Sequence, residues 1–151
     1  MKVIDGTART APQPLVGGVI VSHAHLGSEF LAAAEMILGR PLPHITSASI
    51  DWHDDVDVAR HELERAIARV SQGKGVLLIT DMFGGAPTDV ASMFLDDPTV
   101  EVISGVNLPM VLKLATTNGD TTLAETAKSV EEQGKQSIYR TGALLEIHKT
   151  I

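Results

Sequence analysis

The chain has 151 residues, 44% of them apolar and 21% charged, enough to bury the core of one domain and too few for two of ordinary size. Its 12 Lys plus Arg against 19 Asp plus Glu leave a formal charge of −7, which argues against clamping the phosphate backbone of a nucleic acid. The absence of cysteine excludes disulfides, thiol nucleophiles and Cys-based zinc or iron–sulfur centres. Aromatic residues make up only 3%, so Val, Leu, Ile and Ala must fill the interior. No apolar run approaches the roughly 20 residues that span a bilayer. The N-terminus lacks the basic and long apolar regions of a signal peptide, so a single cytoplasmic domain is the expectation.

In chain order, residues 1–16 mix Thr, Ala and Pro with no sustained period and read as a loose extension; residues 17–151 read as the domain. The run Gly18–Ser22 (GVIVS) is continuous, β-branched and bounded by glycine, the pattern of a strand buried on both faces in a parallel sheet. Leu26, Phe30, Ala34, Ile37 and Leu38 recur at helical spacing, and Gly39 with Pro41 ends that helix. Ile45–Ile50 predicts a second strand. Residues 54–71 return to the helical period through Val56, Ala59, Leu63, Ile67 and Val70, with Arg60, Glu62, Glu64, Arg65 and Arg69 on the opposite face.

Val76–Thr80 (VLLIT) is the clearest buried strand and ends abruptly at Asp81-Met82-Phe83-Gly84-Gly85-Ala86. Pro87 suits a first helical turn, and Val90, Met93 and Phe94 continue that helix. Val100–Ser104 predicts a fourth strand, Met110–Ala115 a short helix, and Thr121–Gln136 a longer one with Leu123, Ala127 and Val130 inward. Ser137–Arg140 suggests a short last strand. Alternating strands and helices imply an α/β three-layer sandwich around a mainly parallel sheet.

In such a sheet, ligands bind beyond the carboxyl ends of the strands where the strand order reverses. The usual small order, 2-1-3-4, makes the first and third strands neighbours across that switch point. It brings Ser22-His23-Ala24-His25 beside Asp81-Met82-Phe83-Gly84-Gly85. A carboxylate on one ring nitrogen of histidine fixes the tautomer and strengthens the other nitrogen as a base or nucleophile. Gly84 and Gly85 let backbone N–H groups approach an anion, and the helix starting near Leu26 adds a positive dipole end. No Lys or Arg occupies either loop, which suits a group that must leave again.

Taken singly, these features have plainer uses: a histidine satisfying loop backbone, an aspartate capping a turn, a glycine pair serving a bend. His25 forms an H-x-H pattern with His23, but no third metal ligand stands out and no metal or cofactor is expected. His44, His53, His61 and His148 lie on polar or loop segments and read as solvated. Trp52 reads as core or edge packing, or as the rim of a site. Asp51, Asp54, Asp55 and Asp57 read as a solvated loop and helix start.

Three segments, VSHAHLGSEFLAAAEMILG, GVLLITDMFGGAP and VEVISGVNLPMVLKLA, resemble in order and spacing the IIA domain of the mannose-type sugar phosphotransferase system. The resemblance runs from about Gly18 to Arg140. It implies a phosphohistidine carrier, with His23 accepting phosphate from HPr and passing it to an EIIB component. Asp81 matches the supporting aspartate of the D-x-x-G-G-x-P loop, and Ser22, Met82, Phe83, Gly84 and Gly85 are the implied phosphate contacts. It also implies a cytoplasmic homodimer with a fifth, C-terminal strand exchanged between subunits, meeting the membrane only through a permease.

Two positions depart from the family pattern: Ala24 replaces the usual glycine after the histidine, and Ala86 stands where many members carry Ser or Thr. Other readings are a lone regulatory IIA protein, the phosphotransfer subunit of dihydroxyacetone kinase, a non-catalytic module and a His-based metallohydrolase.

Overall fold

Four strands and six helices alternate along residues 12–149, the part of the chain that the computed structural model describes, with side chains described through residue 146. They are β1 (Gly17–Ser22), α1 (Leu26–Leu38), β2 (Ile45–Ser49), α2 (Val56–Val70), β3 (Val76–Thr80), α3 (Ala86–Ser92), β4 (Val100–Ser104), α4 (Leu108–Thr116), α5 (Leu123–Gln136) and α6 (Thr141–Lys149). The strands form one all-parallel sheet in the order β2-β1-β3-β4. The expected α/β architecture and strand order are thus both observed.

Side-chain alternation in the central strands builds two cores. Ile20, Leu77 and Ile79 face α1, α4 and α5, whereas Val19, Val21, Val76 and Leu78 face α2 and α3. All seven are at most 2% exposed. Both faces are covered, so β1 and β3 carry no polar stripe and read as continuous apolar runs. Val16 is also buried in the first core, and the Leu15 N–H donates to Gln72 Oε1 at 2.8 Å, so the packed domain begins just before β1. The earlier part of the expected extension, residues 1–11, lies outside the described residues.

Helix ends follow local chemistry. Asp55 caps α2 by accepting the N–H groups of Asp57 and Val58, Asn107 caps α4 and Thr122 caps α5. Asp54 accepts the Asp51 N–H, so the acidic stretch organises a loop and a helix start as expected.

Three expectations need correction. Leu26 and Ile37 are 50% and 57% exposed, because α1 meets the sheet through Gly27 and Ala34 with Phe30, Leu31 and Leu38 packed on the core beside them. A Cβ on Gly27 would stand 2.8 Å from the Ile20 carbonyl oxygen, and Ala34 is fully buried. His44 is 3% exposed rather than solvated; the loop before β2 tucks its ring against the backbone of Leu114 in α4. Burial there, with Arg40 nearby, holds the imidazole below its ordinary 6.5 despite a backbone bond at Leu114 that favours the charged form.

The short strand expected at Ser137–Arg140 is not formed within this chain. Ser137 ends α5, and residues 138–140 lead into α6 with Ile138 and Tyr139 mostly in solvent. No helix of the described residues is long and apolar enough to cross a membrane.

Candidate functional site

The site forms where β1 and β3 end side by side, with Val21 opposite Thr80. The Asp81 N–H donates to the Val21 carbonyl at 3.2 Å, carrying the sheet one residue further and setting Asp81 next to the loop after β1. His23 and Asp81, 58 positions apart in the chain, meet there. One carboxylate oxygen, Oδ2, accepts both the His23 backbone N–H at 2.9 Å and the ring Nδ1–H at 2.7 Å. The Asp81 side chain is 8% exposed and that of His23 is 37% exposed.

Burial pushes the Asp81 carboxyl up. The His23 N–H and ring, with the Met82 N–H, more than offset this and hold it below its ordinary 3.8. It is therefore ionised at neutral pH and fixes the proton on Nδ1, which leaves Nε2 with its lone pair.

Gly85 stands over that free edge. A Cβ built on it would lie 3.4 Å from His23 Cε1 and 3.5 Å from Nε2, and its φ of +96° disfavours any side chain. Among the described residues, the N–H groups of Phe83, Gly84 and Gly85 donate to no protein acceptor. Three N–H groups without a protein partner in one loop are the material from which an anion cradle can be built, and neither loop carries a Lys or Arg. Ala86 opens α3 at the end of this loop and adds no hydroxyl.

Ser22 is 1% exposed, and its Oγ accepts the Gly27 N–H at 2.8 Å, tying the start of α1 to the end of β1. Ala24 has a φ of +46°, the one positive value at a non-glycine among the described residues. The turn after His23 therefore needs the backbone shape that glycine adopts at least cost, which gives a physical meaning to the departure at this position. His25 sits in the N-cap position of α1, exposed and making no side-chain cap. Among the described residues no group of three or more His, Cys, Asp or Glu is placed to hold a metal ion.

Sequence reasoning missed a hydroxyl cluster beneath the loop. Thr80 is fully buried and Thr88 is 6% exposed. Thr80 Oγ1 lies 3.1 Å from Thr88 Oγ1, 2.8 Å from Ser104 Oγ and 3.2 Å from the Met82 carbonyl, to which Thr88 also donates. The signal was available: a threonine closing an otherwise apolar buried strand requires a partner for its hydroxyl.

Beside the site, between the loop after β2 and α3, a groove of about 300 Å³ runs past Ala86. Trp52, 77% exposed, rims it together with Asp51, Asp54 and Asp89. Trp52 is thus a rim residue, its ring tilted 35° against that of His53 with the centroids 3.4 Å apart. Around the site, Leu26 at the start of α1 and Met82 and Phe83 on the loop stand 50%, 53% and 86% exposed.

Fold and site together define a doubly wound α/β domain whose imidazole is backed by a buried carboxylate at the switch point and open on its other nitrogen. The family model for EIIA-man, the PTS system fructose IIA component, matches residues 17–131, and the chain belongs to that family. Membership carries a phosphotransfer role in the sugar phosphotransferase system.

The chain is 29% identical over 127 residues to the mannose-specific EIIAB component of Escherichia coli strain K12, a match covering 80% of this chain and 38% of that protein. The chain thus spans well under half the length of the EIIAB relatives it matches. It is 24% identical over 137 residues to the fructose-specific EIIA component of Bacillus subtilis, covering 90% and 93% of the two chains. Among solved structures, the PTS IIA protein associated with the fucose utilization operon of Streptococcus pneumoniae superposes with a TM-score of 0.76. That match is 20% identical and covers 89% of this chain and 98% of the other.

Proposed function

We propose that the protein is a phosphoryl carrier that accepts phosphate from HPr on Nε2 of His23 and passes it to an EIIB component. The observation that carries the reading is the 2.7 Å bond between Nδ1 and Asp81 Oδ2, which leaves the opposite nitrogen as the nucleophile. In the first transfer the Nε2 lone pair attacks phosphorus, and the bond from phosphorus to the HPr imidazole breaks, its electron pair leaving with that ring. The Nδ1 proton stays where it is, and the Asp81 carboxylate faces the positive charge that develops on the His23 ring. The free N–H groups of Phe83, Gly84 and Gly85 receive the phosphoryl oxygens. Little covalent work is asked of the protein; positioning and electrostatics supply the catalysis. The cradle lacks Lys and Arg, so it does not over-stabilise the phosphohistidine, and the second transfer reverses the same geometry onto EIIB.

The exposed Leu26, Met82 and Phe83 give both partners an apolar rim around a polar centre, the usual anatomy of a transient interface. The same reading makes the protein a cytoplasmic homodimer, touching a membrane only through a permease. In its support, β4 leaves one backbone edge unpaired among the described residues, and Ile138, Tyr139, Leu144 and Leu145, from the end of α5 into α6, are exposed. Sedimentation of the full chain as a monomer at micromolar concentration would remove the dimer from the proposal.

Incubation with phosphoenolpyruvate, enzyme I and HPr should add one acid-labile phosphate per chain, and His23→Ala should abolish it. Label that survives in His23→Ala and disappears in His25→Ala would move the site to the wrong side of the turn and sink the reading.

A further inference from the structure

The loop that carries Asp81 is tied to the sheet at the Asp81 N–H and to α3 at the Gly85 carbonyl, but between those ends it has two glycines at positive φ and no ladder bond, so something else must hold its shape. Gly84 and Gly85 adopt φ of +89° and +96°. Residues free to take such angles also leave them easily. The Met82 carbonyl is the point at which the loop is anchored. Thr88 Oγ1 donates to it from α3, and Thr80 Oγ1 lies 3.2 Å from it at the end of β3. Thr80 in turn lies 2.8 Å from Ser104 Oγ at the end of β4, and its own carbonyl accepts the N–H groups of Gly105 and Val106. Two hydroxyls, from β3 and α3, therefore reach one carbonyl next to Asp81, and a third, from β4, backs them through Thr80.

We propose that Thr88 and Thr80, completed by Ser104, are positioning residues: through the Met82 carbonyl they hold Asp81 on Nδ1 of His23 and Gly85 over its Nε2. This rests on the reading of His23 as the phosphoryl acceptor. The physical argument is cooperative. A buried hydroxyl costs free energy when left unpaired, so the three stabilise one arrangement and penalise others. The arrangement they favour is the one in which Met82 points its carbonyl inward. Because the peptide is trans, that orientation points the Phe83 N–H away from the hydroxyls, while the Asp81 carboxylate, one residue earlier, stays on the imidazole. Transfer between two histidines is sensitive to such placement, because a displacement near 1 Å removes on the order of a hundredfold in rate.

The deciding variant is Thr88→Val, which keeps the branched shape and deletes the hydroxyl, with Thr88→Ser as the conservative rescue. In the HPr-dependent phosphorylation assay, Thr88→Val should lower the transfer rate about tenfold with little change in half-saturating HPr, and Thr88→Ser should stay within about twofold of wild type. Nitrogen-15 NMR of the His23 ring in the isolated protein gives a readout that needs no partner. Wild type and Thr88→Ser should show one tautomer with the proton on Nδ1, and Thr88→Val a mixture. Folded Thr88→Val with wild-type rate and a single tautomer overturns the proposal. Should Thr88→Val fail to fold, Ser104→Ala takes its place, with the same mixed tautomer expected and an unchanged one overturning the idea. Absence of phosphorylation in the wild type would refute the carrier reading alone, and the tautomer comparison would still decide the positioning role.

Discussion

A single oxygen of Asp81 binds His23 twice, at its backbone N–H and at its ring Nδ1, so loop and side chain are fixed by the same carboxylate. That double contact separates orientation from reactivity: the protein spends one edge of the imidazole on geometry and keeps the other free. Asp81→Asn should therefore lower phosphorylation by HPr by about 10- to 100-fold, the usual cost of losing the group that orients a functional histidine. Radiolabel transfer kinetics would check this, and an unchanged rate would mean the carboxylate is only structural.

Gly85 faces the nitrogen left free. A methyl group there would stand 3.5 Å from Nε2, in the space an incoming phosphorus must cross, on a backbone with φ of +96°. Gly85→Ala should block labelling almost entirely while costing only about 1–2 kcal/mol of stability from the left-handed strain. Urea unfolding measured alongside labelling separates the two effects, and a variant that is stable and fully labelled would contradict the geometry.

Ala24 pays for its position in strain. With φ of +46° it holds a conformation that glycine adopts freely, so Ala24→Gly should stabilise the folded protein by about 1 kcal/mol. Thermal or urea denaturation reads this directly; a loss of stability would show that the unfolded-state entropy of the new glycine outweighs the relief.

Ser22 offers a test of whether a residue beside the histidine serves phosphate or fold. Its buried hydroxyl accepts the Gly27 N–H, so Ser22→Ala should cost about 1–3 kcal/mol by orphaning that donor. Transfer rates per folded molecule should remain close to wild type. A large rate loss at unchanged stability would instead assign the hydroxyl to the phosphate.

His44 predicts a pH dependence with a definite sign. Its folded value lies below 6.5 because burial disfavours the charged ring, with Arg40 adding repulsion and the Leu114 carbonyl opposing both. The folded state thus binds fewer protons than the unfolded one below 6.5. Stability from this site is full above 6.5, falls as the pH drops below it, and levels off below the folded value. Asp81 acts lower: its contribution is full above 3.8 and is lost as the pH falls below that towards its depressed folded value. Urea unfolding at about pH 7.5 and about pH 5.5 should show a drop that His44→Leu reduces; an identical drop in both proteins would place the titration elsewhere.

Much of this architecture is legible before folding. β-branched apolar runs at Val19–Val21 and Val76–Ile79 can be satisfied only by burial on both faces, so strands, parallel sheet and switch point follow from local pattern. His23 and Asp81 follow as well, because each stands just past such a run. Periodicity was less informative where the tertiary neighbour set the outcome. Leu26 and Ile37 have helical spacing, yet the close approach of α1 at Gly27 turns them to solvent. His44 sits in a polar-looking loop, and only the packing of α4 buries it. Ser137–Arg140 carries strand-forming residues but has no neighbouring strand among the described residues to pair with.

What the amino-acid order determined alone is therefore the four strands, five of the six helices and the two residues at the strand ends, since hydrophobic runs and glycine stops act over a few positions. What tertiary structure alone decided is which oxygen meets which nitrogen, and which carbonyl the hydroxyls of Thr80 and Thr88 share. Those contacts join residues from separate strands and helices. Their lengths depend on how close α1 and α3 can pack to the sheet, a distance that no single segment contains.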